Sequence, residues 1–314
     1  MDTSIPGLSE RDGQRVDTLQ IIVKEETPFL PKVAFTLITL ASVGGAIFTG
    51  LGLGISGGGL LVRWLSLWAV ALAGGFLAWR LLYLRRAEQG VEQRRVDSLN
   101  ADLLQRAERV GRWVAPIVLL AAAGPFVVPV LAGEPALKWA LVGASVALGA
   151  LLALGVSRLA MAWPALALVA ALIAGWAYTD VGPDWAAAIR ALHLTAFTLW
   201  LGGALWNIAV AMPTGRRHPN VDAVLAGARQ LDRFRWVVRF VLPTIIVTGL
   251  LMAGAFRSLP LDWWTSFPGI LIPLKVLAII ALVVVFITCP LFRHCSPVQG
   301  VCNIDDLSER GDRR

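Results

Sequence analysis

All three cysteines of this chain, and one of its three histidines, fall in the stretch Cys289-Pro-Leu-Phe-Arg-His294-Cys295-Ser-Pro-Val-Gln-Gly-Val-Cys302. The stretch follows directly on an apolar run, residues 269–288, long enough to cross a bilayer. Soft ligands gathered where a membrane helix emerges into water are the raw material of a metal or iron–sulfur site. A second imidazole, His218 in Gly215-Arg-Arg-His218-Pro219, joins them if the sixth and eighth apolar segments leave the membrane on one side. The candidate metal ligands are therefore His218, Cys289, His294, Cys295 and Cys302.

Two thiolates with two imidazoles form the ligand set of a Rieske-type two-iron two-sulfur centre, where histidine ligation raises the reduction potential. The same donors suit a tetrahedral zinc. A plain juxtamembrane tail, with His218 a solvated loop residue, is the bland alternative. Free thiols or metal binding fit these cysteines better than a disulfide, because the tail is expected in the reducing cytoplasm.

A second constellation lies in the apolar part of the chain. His193 precedes Trp200-Leu-Gly-Gly203 in one segment, and Lys275 interrupts another. His193 sits about seven residues inside its segment, hence about 10 Å deep at about 1.5 Å per residue, and Lys275 has a similar expected depth. Ionisable groups inside a membrane are costly and mark function by default. This pair could line a quinone pocket, a proton path or a copper site. Arg239 is a further cation near an interface, where snorkelling to headgroups competes with a role beside quinone or cluster thiolates. The candidate cofactor-binding residues are His193, Trp200, Arg239 and Lys275; no catalytic residue is assigned. Gly202 and Gly203 read as close-packing positions. Bis-histidine haem is not expected, because only His193 is deep in an apolar segment. Methionines are few, Met1, Met161, Met212 and Met252, which leaves little soft donor for a Cu(I) path.

The elements that must position these residues are helices in a membrane. Of 314 residues, 57% are hydrophobic and only 16% charged, outside the range of ordinary soluble domains. Eight stretches meet the span length of about 20 apolar residues, at roughly 33–53, 60–82, 114–132, 137–156, 160–178, 186–212, 235–256 and 269–289. The expected fold is all-α, a polytopic transmembrane helical bundle in the cell membrane. The first 32 residues are polar and lack the basic and short apolar regions of a cleaved signal, so the first segment is expected to remain as an anchor. The net charge of +7 does not point to nucleic acid, since the basic residues are spread over alternate loops. Those loops are 83–112, the turn near Arg158 and 213–235, and the positive-inside rule then puts both termini in the cytoplasm.

Six regions follow along the chain. A cytoplasmic N-terminal segment, 1–32, precedes a Gly-rich helix pair, 33–84. An amphipathic cytoplasmic linker, 85–112, is either a solvated helix or a docking surface. Packing helices fill 113–182, a three-helix unit fills 183–291, and the Cys/His tail closes the chain at 292–314.

His193-Leu-Thr-Ala-Phe-Thr-Leu-Trp200-Leu-Gly-Gly203, Phe234-Arg-Trp-Val-Val-Arg-Phe-Val-Leu-Pro243, Thr248-Gly249-Leu and Leu274-Lys275 resemble the copper-resistance D (CopD) type membrane domain over about 186–285. That resemblance implies a membrane helical unit and, in some members, copper uptake. The tail from Phe286 to Asp306 falls outside the copper-resistance pattern and resembles the membrane anchor of actinobacterial-type succinate dehydrogenase, which carries a Rieske-type cluster and no haem. That resemblance implies flavoprotein and iron–sulfur subunits docked on the cytoplasmic face, quinone as electron acceptor, and His218 and His294 with two of the three cysteines as ligands. The leading expectation is thus a subunit of an oxidoreductase complex, inert alone, relaying electrons to quinone. Its rival is a copper-handling membrane protein with His193 near the entrance.

Overall fold

The computed structural model describes residues 29–88 and 91–288, and every regular element among them is helical. Helix α1 (Phe29–Gly52) turns into α2 (Gly58–Ala78) through Gly54 and Gly57, whose φ angles of 75° and 54° lie in the left-handed region that glycine adopts without cost. Helix α2 continues through one π turn, Trp79–Tyr83. Helix α3 (Gln93–Ala121) is followed by two 3₁₀ turns, Gly124–Phe126 and Pro129–Ala132. Next come α4 (Pro135–Leu154), α5 (Leu159–Val181) and α6 (Trp185–Trp206), the last started by the Asp184 carboxylate accepting from Trp185 N–H. A π turn, Asn207–Ala211, links α6 to the short α7 (Met212–Gly215). Asn220 caps α8 (Val221–Ala253), and α9 (Leu261–Thr265) and α10 (Leu271–Thr288) complete the described chain.

Six helices are long and apolar enough to span a membrane: Lys32–Gly52, Gly58–Tyr83, Pro135–Leu154, Leu159–Val181, Trp185–Gly215 and Val221–Ala253. The other two expected spans fall on α3 and α10. Helix α3 runs without a break across residue 112, where a cytoplasmic linker was expected to give way to a span. The change from charged to apolar sequence changes what surrounds a helix and leaves its backbone hydrogen bonds untouched. Its charged first half buries Val96, Leu99, Leu103 and Ala107 against the bundle. Its last turn reaches the start of α2, where Ser66 Oγ donates to the Ala121 carbonyl at 2.7 Å. Helix α10 is apolar over Leu271–Val284 and packs mainly along α1.

Helices α2 and α6 form the centre. They cross so closely that a Cβ on Gly75 would stand 2.2 Å from the Thr198 carbonyl oxygen and 2.6 Å from Gly202 Cα. Two hydrogens facing each other let the backbones meet where any side chain would hold them apart. Gly203 faces the Phe234 ring and the indole of Trp79. Around it Phe76, Trp79, Tyr83, Trp206 and Phe234 form one aromatic cluster, with Trp79 and Trp206 stacked at 5.8 Å.

The basic loops gather at one end of the bundle. Arg80 donates to the Ser157 carbonyl at 2.6 Å, and Arg106 to the Ala209 carbonyl at 2.5 Å. Arg233 holds the Tyr83 carbonyl and Glu88, and Arg95 pairs with Asp222 at 3.3 Å. The end of α2, the first half of α3, the α4–α5 turn and the α7–α8 turn are thereby tied together.

Candidate functional site

The constellation of the apolar segments is enclosed by five helices. A cavity of about 80 Å³ lies among α1, α2, α6, α8 and α10, and His193, Trp200 and Lys275 all line it. Helix α6 presents His193, Phe197 and Trp200 to it from one face, at spacings of four and three residues, which a helix of 3.6 residues per turn stacks above one another. Trp64 and Trp68 of α2 face them, and Ile38 and Leu282 belong to α1 and α10. Because α10 packs mainly on α1, the space between α10 and the α6–α8 pair stays open and becomes the cavity. Arg239, the fourth expected residue, is exposed on α8 and does not line it.

The buried His193 places Nδ1 2.8 Å from Thr248 Oγ1. The single Thr248 hydroxyl proton goes to the Thr244 carbonyl one turn back. Oγ1 must then accept from His193, so the ring carries its proton on Nδ1 and keeps a lone pair on Nε2. The Ile245 backbone of α8 also lies within hydrogen-bond reach of the ring. Lys275 is half-buried, has no acidic partner among the described residues, and its Nζ rests against α1 where Gly45 offers no side chain; a Cβ there would stand 3.0 Å away.

Sequence reading missed what lies beside these two groups. Asp180 of α5 accepts from Arg63 Nη2 of α2 at 2.5 Å and from Arg190 Nε of α6 at 2.7 Å. The three side chains are 0%, 3% and 7% exposed for Arg63, Asp180 and Arg190, so this is a fully buried ion triad. Arg63 also donates from Nη1 to the Ala46 carbonyl and to Thr49 Oγ1, each at 3.0 Å. Asp180 stands in the last turn of α5, next to Val181 where the helix ends. The signal was present all the same: Arg63 interrupts an apolar run, and Arg190 stands three residues before His193.

In chemical terms the cavity offers an imidazole acceptor, an ammonium and a guanidinium, on walls of tryptophan and phenylalanine. Its size decides how much of a ligand it encloses. Sites that swallow a drug-sized molecule run to about 300–1,000 Å³, so about 80 Å³ holds a compact polar head or a few waters and leaves a tail outside. Fixed positive charge from Arg63 and Arg190 disfavours a metal cation at His193, and no group of three metal-binding side chains occurs among the described residues.

Of the Cys/His constellation only His218 lies among the described residues, at the basic end. His218 Nε2 is 2.8 Å from the Asp102 carboxylate on α3, with its side chain 16% exposed. Cys289, His294, Cys295 and Cys302 fall outside the described residues. Helix α10 packs along α1, with Leu271 and Lys275 beside Gly44 and Gly45. His193 and His218 are 25 positions apart along α6 and its extension, about 38 Å at about 1.5 Å per residue, so the two imidazoles belong to separate sites. No protein-family model, curated protein or solved structure matches this chain, and the resemblances stand on their own residues alone.

Proposed function

We propose that this multi-pass membrane protein is the anchor of an oxidoreductase complex in the cell membrane, passing electrons from a cytoplasmic, succinate dehydrogenase-like partner to quinone. Eight spans with both termini cytoplasmic are part of this reading. The observation that carries it is the convergence of His193, Trp200 and Lys275 on one aromatic-walled cavity between apolar helices. A quinone head has two carbonyl oxygens and a flat ring: Lys275 and Arg190 donate to the oxygens, His193 Nε2 accepts a hydrogen bond from the hydroxyl of the reduced form, and the tryptophans hold the ring. The size of the cavity fits a head group whose tail remains in lipid.

An iron–sulfur centre at the basic end belongs to the same proposal. Metal-binding histidines commonly donate their second ring N–H to a carboxylate, which fixes the tautomer. The bond from His218 Nε2 to Asp102 fits that pattern and leaves Nδ1 as the donor atom. His218, His294 and two of Cys289, Cys295 and Cys302 would hold the centre, which when bound supplies one-electron transfer. Flavoprotein and iron–sulfur subunits would dock where the basic loops gather. Copper handling ranks behind this reading because the cavity around His193 is cationic.

The test is analysis of protein purified from iron-replete cells. Iron and acid-labile sulfide in equal amounts, together with tryptophan quenching by an added short-chain quinone that is lost in His193→Ala, are expected. A preparation free of iron that also ignores quinone refutes the proposal.

A further inference from the structure

The buried charges around the cavity do not balance. Guanidinium groups stay protonated in proteins, so Arg63 and Arg190 bring two positive charges to one carboxylate, Asp180. Lys275 adds a third cationic group with no acid beside it among the described residues. His193 meets the Thr248 hydroxyl and the Ile245 backbone, neither of them charged. The other acids toward this end, Glu134, Asp184 and Asp262, are exposed, and Asp184 is engaged in capping α6. Uncompensated charge within apolar helices is expensive unless a counter-charge completes the site. Arg190 and Lys275 reach the cavity itself, and Arg63 stands behind them through Asp180.

We infer that the cavity is a receptor for an amphipathic anion: a compact acidic head between Arg190, Lys275 and His193, with an apolar tail leaving through the gap between α10 and the α6–α8 pair. This deepens the quinone reading, on which it partly rests, by requiring negative charge on the head. The oxyanion of a hydroxyquinone and the carboxylate of a fatty acid share this chemistry. Trp64, Trp68 and Trp200 report occupancy directly, since all three line the cavity.

Two matched pairs of probes test it on the full-length protein in detergent micelles, followed by tryptophan quenching and calorimetry. One pair is a 2-hydroxy-3-alkyl-1,4-naphthoquinone and its methyl ether; the other is dodecanoate and dodecanol. The expected result is at least a tenfold lower Kd for the acidic member of a pair, abolished in Lys275→Met and restored in Lys275→Arg. Comparison of pair members in the unaltered protein needs no variant, so misfolding cannot mask the answer. Preference for the hydroxyquinone alone identifies the head as a quinone-type oxyanion. Binding of dodecanoate without either quinone leaves the anion site standing and removes the quinone reading. Equal affinity for a neutral quinone and its acid overturns the anion site and keeps the quinone reading. Failure of all four probes to bind overturns both.

Discussion

Asp180→Asn isolates the charge that joins three helices. The amide keeps the shape of the carboxylate and removes the only negative group between Arg63 and Arg190, at 2.5 Å and 2.7 Å. A unit-charge pair at about 4 Å is worth about 4 kcal/mol at an effective dielectric of about 20, and Asp180 makes two such pairs while the two guanidiniums repel. Removing one partner from a buried ion pair costs about 3–5 kcal/mol by direct measurement in other proteins, and that is the loss expected here. The internal control is Glu92→Gln. Glu92 pairs with Arg95 at 2.9 Å, but the side chains are 54% and 50% exposed, so solvent screening limits that loss to about 0–1 kcal/mol. The assay is reversible denaturant unfolding of the full chain in mixed micelles, read by tryptophan fluorescence. Replacing all three residues together, Arg63→Met with Asp180→Leu and Arg190→Met, should recover part of the loss, since no charge is left stranded. An Asp180→Asn loss no larger than that of Glu92→Gln would refute the triad as a buried electrostatic joint.

Gly75→Ala should cost about 3 kcal/mol or more, because the new Cβ meets backbone atoms of α6 that cannot rotate aside; Gly143→Ala on α4, with nothing within 4 Å, should instead stabilise by up to about 1 kcal/mol. Thermal melting of the two variants side by side checks both signs. Thr248→Val removes the hydroxyl that accepts from His193 Nδ1, leaving the ring only the Ile245 backbone, and should lower stability by about 1 kcal/mol in the same unfolding assay. Asp102→Asn should weaken iron retention about 10–100-fold by loosening His218, and unchanged iron content after chelator challenge would count against His218 as a ligand. Gly45→Val should press on Lys275 and cut quinone quenching at least tenfold with the fold retained, as circular dichroism can check.

The membrane-helical character was legible in composition alone, because a bilayer accepts little except apolar helices with satisfied backbones. His193, Trp200 and Lys275 could be marked because a charge or indole within an apolar run stands out against its neighbours. Arg63 stands out by the same rule, but nothing near it along the chain can pair with it. Its partner, Asp180, is 117 positions away and sits at a helix end that reads as a loop. Residue type and spacing along one helix therefore determined which groups would be costly to bury. Only the tertiary structure decided which of them share a cavity, since that depends on how α10 leans on α1 and on the contact of Gly75 with Gly202. It turned Arg239 outward and gave His218 to Asp102. Burial energy is a property of the individual side chain, whereas the neighbour that offsets it is chosen by packing between distant segments.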